Sequence, residues 1–375
     1  MNVEATVLER YSNSAQEREE SLCCPVDYDR ELLKLLPREI IEKDYGCGDP
    51  SRYVLPGDTV LDLGSGGGKI CYMAAHLAGP TGKVIGVDMN DDMLGLARKY
   101  QAEMAQKLGG DRVRFVKGYI QDLALDVEGL EAYLAECPVI DTRALALLRA
   151  WQTEQRQSRP LIPDASVDLV ISNCVLNLVD DGEKQQLVRE VFRVLKPSGR
   201  VAICDIVADE PIPQRLKSDP GLWSGCISGA FVEQEFVRAF VDAGFIAIRF
   251  DQWSAEPWRV IEGIEFRAAT LTALKGQGTE CIDRGHAVIY RGPYAEVRDE
   301  EGHVFPRGER IAVCERTFRA ITEGPYRDDF IGIVPRVLGE PVAWCAPPNT
   351  KRPPAVTKGG QQVLSSACDS GSCCC

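Results

Sequence analysis

The chain has 375 residues, 45% of them hydrophobic and 26% charged, enough for one large core and a smaller second unit. Its formal net charge of −13 argues against a general nucleic-acid binder, because such proteins neutralise phosphates with lysine and arginine. No apolar run approaches the roughly 18 residues of a membrane-spanning helix, and MNVEATVLERYSNSAQEREE holds no apolar signal core, so a soluble cytoplasmic protein with no membrane partner is expected.

Residues 1–50 read as a polar, mostly helical lead-in that ends in the turn YGCGDP. Over residues 51–250, short β-branched runs alternate with helices. TVLDLGSGGGKICYMAAHLAG reads as strand, glycine-rich turn and helix; KVIGVDMNDDMLGLARKYQAEM reads as strand, acidic end and helix. RVRFVKGYIQDL, VDLVISNCVLNLV and GRVAICDIV supply three more strands, so the fold class is α/β, a doubly wound and mostly parallel sheet. A helical insertion at about 124–163 separates strands three and four and reads as a lid. Residues 251–345 change to strand-and-turn texture, a small β-rich C-terminal unit, and 346–375 form a flexible Cys-rich tail.

Fifteen cysteines in a reducing compartment do not imply a disulfide framework, which leaves metal binding, redox chemistry and core packing. Cys174 ends the fourth strand, where α/β enzymes hold substrates. Cys47 sits in the turn before the first strand, and Cys226 lies in LWSGCISGA after the fifth. Cys71 falls in the first turn of the helix after the glycine loop, where the helix dipole favours a thiolate. Three thiolates suit a soft, trivalent, lone-pair-bearing metalloid. Cys204, inside VAICDIV, reads as core, while Cys137, Cys281, Cys314 and Cys345 have no partner at metal-ligand spacing. Cys23, Cys24 and the terminal CDSGSCCC could capture a metalloid and pass it inward. His76, His286 and His303 are too scattered for a histidine-based site.

Glycines in LDLGSGGG let the chain turn sharply and a ligand approach the backbone, and Asp88 closes the second strand, where a carboxylate can accept from ribose hydroxyls. Dinucleotide enzymes share that logic. Asp62 ahead of Gly64 resembles instead the D-x-G-x-G loop of class I S-adenosylmethionine methyltransferases, a resemblance running from Asp58 to Val207. It implies S-adenosylmethionine as cofactor, with Asp62, Gly64, Ser65 and Gly66 around its methionine portion. It also implies Asp88 and Met89 at the ribose, Ile120 and Gln121 near the adenine beside Tyr119, and Asn173 near the sulfonium.

YGCG, GSGGGKICY, SNCVLNLV and GCISGA closely resemble segments of arsenite S-adenosylmethionine methyltransferases, and FRAATLTAL, AVIYRG and VCERTFRAI resemble that family's C-terminal region. The resemblance implies that As(III), supplied as arsenite or its glutathione adduct, is held by Cys71, Cys174 and Cys226. Its lone pair then attacks the sulfonium methyl. Cys47 joins a thiol relay that thioredoxin or glutathione resets. Two other functions are open on the residues alone: a methyltransferase for a small carbon, oxygen or nitrogen acceptor with structural cysteines, and a non-catalytic metalloid-binding protein.

Overall fold

The computed structural model describes residues 3–16, 19, 26–276, 278, 280–344 and 346–358; Cys23, Cys24, Cys345 and the terminal cysteines lie outside them. The strands β1 (Thr59–Leu63), β2 (Lys83–Asp88), β3 (Val113–Lys117), β4 (Val167–Asn173) and β5 (Leu195–Ala208) are parallel neighbours in the order β3-β2-β1-β4-β5. Leu61, Leu63, Val170, Ile171 and Ile203 are fully buried, as expected where helices cover both faces of a parallel sheet. Every crossover therefore returns the chain to the same edge, and the C-terminal ends of β1, β2 and β4 open together.

The sheet continues beyond residue 250, against the expected boundary. A short β6 (Phe231–Val232) pairs with the end of β5. β7 (Phe245–Trp253), β8 (Arg259–Ile261) and β9 (Ile264–Lys275) then complete nine strands, with β9 antiparallel to β5 and β7 antiparallel to β9. β9 buries Phe266, Ala269, Leu271 and Ala273, so the strand texture read as a new unit covers what would be an open edge of the large sheet. The chain divides instead at Gly276. The second unit has its own core around Val288, Tyr290, Phe305, Ile311 and Phe330, with a three-stranded sheet centred on Ala287–Tyr290.

The insertion folds as the helices Val127–Glu136 and Thr142–Ser158, pinned at its base by Arg156 on Asp122 and by Ile162 N–H donating to Leu123 O. Among the described residues, no helix is long and apolar enough to cross a membrane.

Candidate functional site

At the C-terminal ends of β1, β2 and β4 lies a cleft, the place where open α/β sheets hold their ligands. Asp62, Gly64, Ser65, Gly66, Asp88, Met89, Ile120, Gln121 and Asn173 all line it. The loop after β1 needs glycine at Gly64, where φ is +66° and a Cβ would meet Val175 at 2.4 Å. Asp88 organises this loop. One carboxylate oxygen accepts from Gly66 N–H at 2.8 Å and the other from Asn90 N–H at 2.9 Å. Ser65 contributes a buried hydroxyl that has no protein partner.

The insertion expected to act as a lid places none of its residues in this cleft. The roof is α1 (Val3–Gln16), which contributes Glu4, Val7 and Tyr11. Val3 and Val7 pack on Trp223. Asn90, at the N-terminus of the helix after β2, donates to Leu8 O and Ser12 Oγ, while Arg10 donates to Gly221 O and Ser224 Oγ. Tyr11 reaches down to hydrogen-bond the Cys226 thiol. No sequence feature near α1 announces this role, because it depends on contacts with residues some 80 to 210 positions away.

The sulfurs meet beside the cleft. Cys47, Cys174, Cys204 and Cys226 share one buried cluster with Ile206, Ile227 and Phe266. The sulfurs of Cys47 and Cys174 and a carboxylate oxygen of Asp205 all lie within 4.8 Å of one another. The Cys226 thiol donates to Cys174 O at 3.2 Å. Both Cys174 and Cys226 have left-handed backbone, with φ of +60° and +61°, a conformation that costs a non-glycine residue energy and gathers at functional sites.

Cys47 is delivered by the side chain of Asn173, whose Oδ1 accepts from Cys47 N–H at 2.9 Å and Gly48 N–H at 3.1 Å, while its Nδ2 donates to Gly48 O. The loop can come this close only because residue 46 is glycine; a Cβ there would stand 2.2 Å from Asn173 Nδ2. Asn173 thus borders the cleft, and its amide is engaged with the cysteine loop.

The structure places Cys71 apart from the other three cysteines. It belongs to a separate core cluster around Val60, Tyr72 and Leu94, and donates its thiol to Asp62 at 3.2 Å. Burial, followed by the Asp62 carboxylate, raises its pKa well above the ordinary thiol value, so the helix dipole does not hold a thiolate there. The thiol that stands beside Cys174 in this structure is that of Cys47. Cys281, which has no partner at metal-ligand spacing in the sequence, is disulfide-bonded. Asp299, Glu301 and His303 form a second cluster of donors in the C-terminal unit, but Asp299 holds the His303 ring and Arg316 pairs with Glu301.

Asp205 was not foreseen, although it directly follows Cys204. Burial raises its carboxyl to about 7, and backbone N–H donors, including Ile206 N–H at 2.8 Å, oppose that shift. A carboxyl whose pKa is higher in the folded than in the unfolded state binds an extra proton between about pH 4 and 7, so its contribution to stability falls as pH rises through that window. Asp205→Asn is expected to be more stable than the parent at pH 8 by roughly 2–4 kcal/mol, the difference closing near pH 4. Urea unfolding at both pH values measures it, and equal differences at both would refute it.

Residues 55–148 and 152–244 match the family described as a methyltransferase domain, and residues 277–362 match a domain of unknown function. The chain is 31% identical over 340 residues to an arsenite methyltransferase of Aquipseudomonas alcaligenes, covering 85% of this chain and 87% of that one. Identity to the Mus musculus arsenite methyltransferase is 31% over 316 residues, 81% of this chain and 74% of the other. The crystal structure of an arsenic(III) S-adenosylmethionine methyltransferase from Chlamydomonas reinhardtii aligns with a TM-score of 0.56 at 27% identity, over 86% of this chain and 99% of that one.

Proposed function

As this chain belongs to the arsenite methyltransferase family, we propose that it methylates thiol-bound As(III), with Cys174 at the centre of the arsenic site and S-adenosylmethionine as donor. The observation that carries the assignment of residues is the convergence of Cys47, Cys174 and Cys226 in one buried cluster, with the Cys47 and Cys174 sulfurs within 4.8 Å of each other.

The cleft fits the donor. The glycine turn at Gly64, the carboxylate of Asp88 and the partnerless Ser65 hydroxyl suit a polar nucleoside with a charged amino-acid arm. Asp88 would hold the ribose, Ile120 and Gln121 the adenine, and Asp62, Gly64, Ser65 and Gly66 the methionine portion. S-adenosylmethionine, when bound, supplies a methyl group on a sulfonium, the electrophile an arsenic lone pair requires.

Arsenite exchanges hydroxides for cysteine sulfurs; each thiol proton leaves with a hydroxide as water. Cys174 and Cys226 hold arsenic, and Cys47, within 4.8 Å of Cys174 Sγ, completes a three-sulfur set. Three sulfurs make arsenic pyramidal and fix the direction of its lone pair, and that alignment is the main catalytic contribution. The apolar walls, Ile206, Ile227 and Phe266, exclude water.

Methylation takes arsenic formally from As(III) to As(V). Cys47, leaving arsenic as a thiolate, then attacks the Cys174 sulfur. The As–S bonding pair returns to arsenic as its lone pair, a Cys47–Cys174 disulfide forms, and a glutathione thiol, losing its proton, takes the vacated position on the methylarsenic(III) still held by Cys226. Glutathione or thioredoxin in the cytoplasm reduces that disulfide. Purified protein given arsenite, S-adenosylmethionine, glutathione and thioredoxin is expected to yield methylated arsenicals, separated and quantified by element-specific mass spectrometry. Absence of methylated arsenic despite measured donor binding would refute the reading.

A further inference from the structure

We propose that Cys47 has a second approach, a lateral pocket that binds the small thiol resetting the enzyme; the inference rests on the arsenite reading above. About 650 Å³ of space opens at the β7–β9 margin, lined by Cys47, Gln252, Trp253, Ser254, Ala268, Ala269 and Thr270. It shares no lining residue with the donor cleft.

The sheet register explains how one cysteine faces two ways. Asn173 on β4 lies opposite Cys204 on β5, Cys204 opposite Thr270 on β9, and Thr270 opposite Gln252 on β7. Asn173 draws the Cys47 loop across the inner end of this row. Cys47 therefore faces Cys174 inward and the pocket outward. Thr270 is itself anchored on Cys204, Oγ1 to Sγ 3.1 Å, so that wall is fixed.

The lining suits a peptide-like thiol. Gln252, Ser254 and Thr270 offer amide and hydroxyl groups, and Trp253, 42% exposed, offers an apolar plate. Arg267 lies over the Trp253 ring, 5.5 Å from its centroid, and pins the outer loop by donating to Ser254 O and Ala255 O. Cys47 is only 6% exposed, so its sulfur lies recessed, within reach of a flexible small molecule and away from the flat surface of a protein reductant.

The chemistry balances. A thiolate entering by the pocket attacks the Cys47 sulfur of the Cys47–Cys174 disulfide, forming a mixed disulfide on Cys47 and releasing Cys174. A second thiol attacks the mixed disulfide, releasing Cys47 and an external disulfide; the two protons lost by the small thiols pass to Cys47 and Cys174. Because the donor cleft is separate, this reset proceeds while spent donor still occupies it.

The test uses the full chain saturated with S-adenosylhomocysteine and exposed to glutathione disulfide. The glutathionyl group is expected on Cys47, located by peptide mass spectrometry, and Ser254→Trp or, independently, Gln252→Trp is expected to slow that labelling at least about tenfold by blocking access. Donor binding by each variant reports its folding. Labelling of Cys47 at parental rate in both variants, or loss of labelling whenever the donor cleft is filled, would overturn the proposal. So would loss in the variants of thioredoxin-driven turnover with glutathione-driven turnover intact. Methylated arsenic from the first turnover of pre-reduced protein is measured alongside, and its absence refutes the arsenite reading independently of the pocket.

Discussion

Cys174→Ser is expected to lower the yield of methylated arsenic by at least about a hundredfold, while S-adenosylmethionine still binds within about twofold of its parental affinity. Serine preserves the size and the φ of +60° at this position, so the backbone stays as it is. What changes is the donor atom: a hydroxyl is a poor ligand for a soft metalloid and cannot form the Cys47–Cys174 disulfide. Cys174 has its thiol within 4.8 Å of the Cys47 thiol and its carbonyl accepting from the Cys226 thiol, so on the proposed assignment its loss would remove both the grip on arsenic and the path for electrons. Element-specific mass spectrometry of the products and calorimetric titration of the donor measure the two halves. Retention of a tenth or more of parental activity would remove Cys174 from the arsenic site. Cys204→Ser provides the contrast, because the Cys204 sulfur is turned to Thr270 and a hydroxyl can replace that contact.

Asp88→Ala is expected to weaken donor binding by roughly 30–150-fold, equivalent to about 2–3 kcal/mol. The substitution takes away the group assigned to the ribose and also releases the Gly66 and Asn90 amides, on which the glycine loop and the next helix start are set. Charge-assisted hydrogen bonds are about twice as strong as neutral ones, so Asp88→Asn should lie between alanine and the parent. Titration of S-adenosylmethionine into the three proteins gives the order. An alanine variant with parental affinity would show that another residue holds the ribose.

The glycine loop, Asp88 and the alternation of strands and helices were readable from the chain because each is a short-range pattern with one physical meaning. The four cysteine segments were readable as local words, but which sulfurs meet was not. That depends on the Asn173 amide capturing Gly46–Gly48 across about 125 residues of sequence, a contact that no periodicity encodes. Cys71 shows the converse. Its place near a helix N-terminus suggested a thiolate, but full burial against Asp62 outweighs the dipole. The C-terminal boundary was misplaced because an antiparallel edge strand of a large sheet and a strand of a small β unit have the same local texture. Only pairing with β5 separates them.

The helix α1 touches the donor side through Asn90 and the cysteine side through Cys226, and so roofs two chambers with one element. Any motion that lifts α1 would therefore uncover both chambers together, so that exchange of spent donor and exposure of the cysteine cluster would be coupled through a single helix.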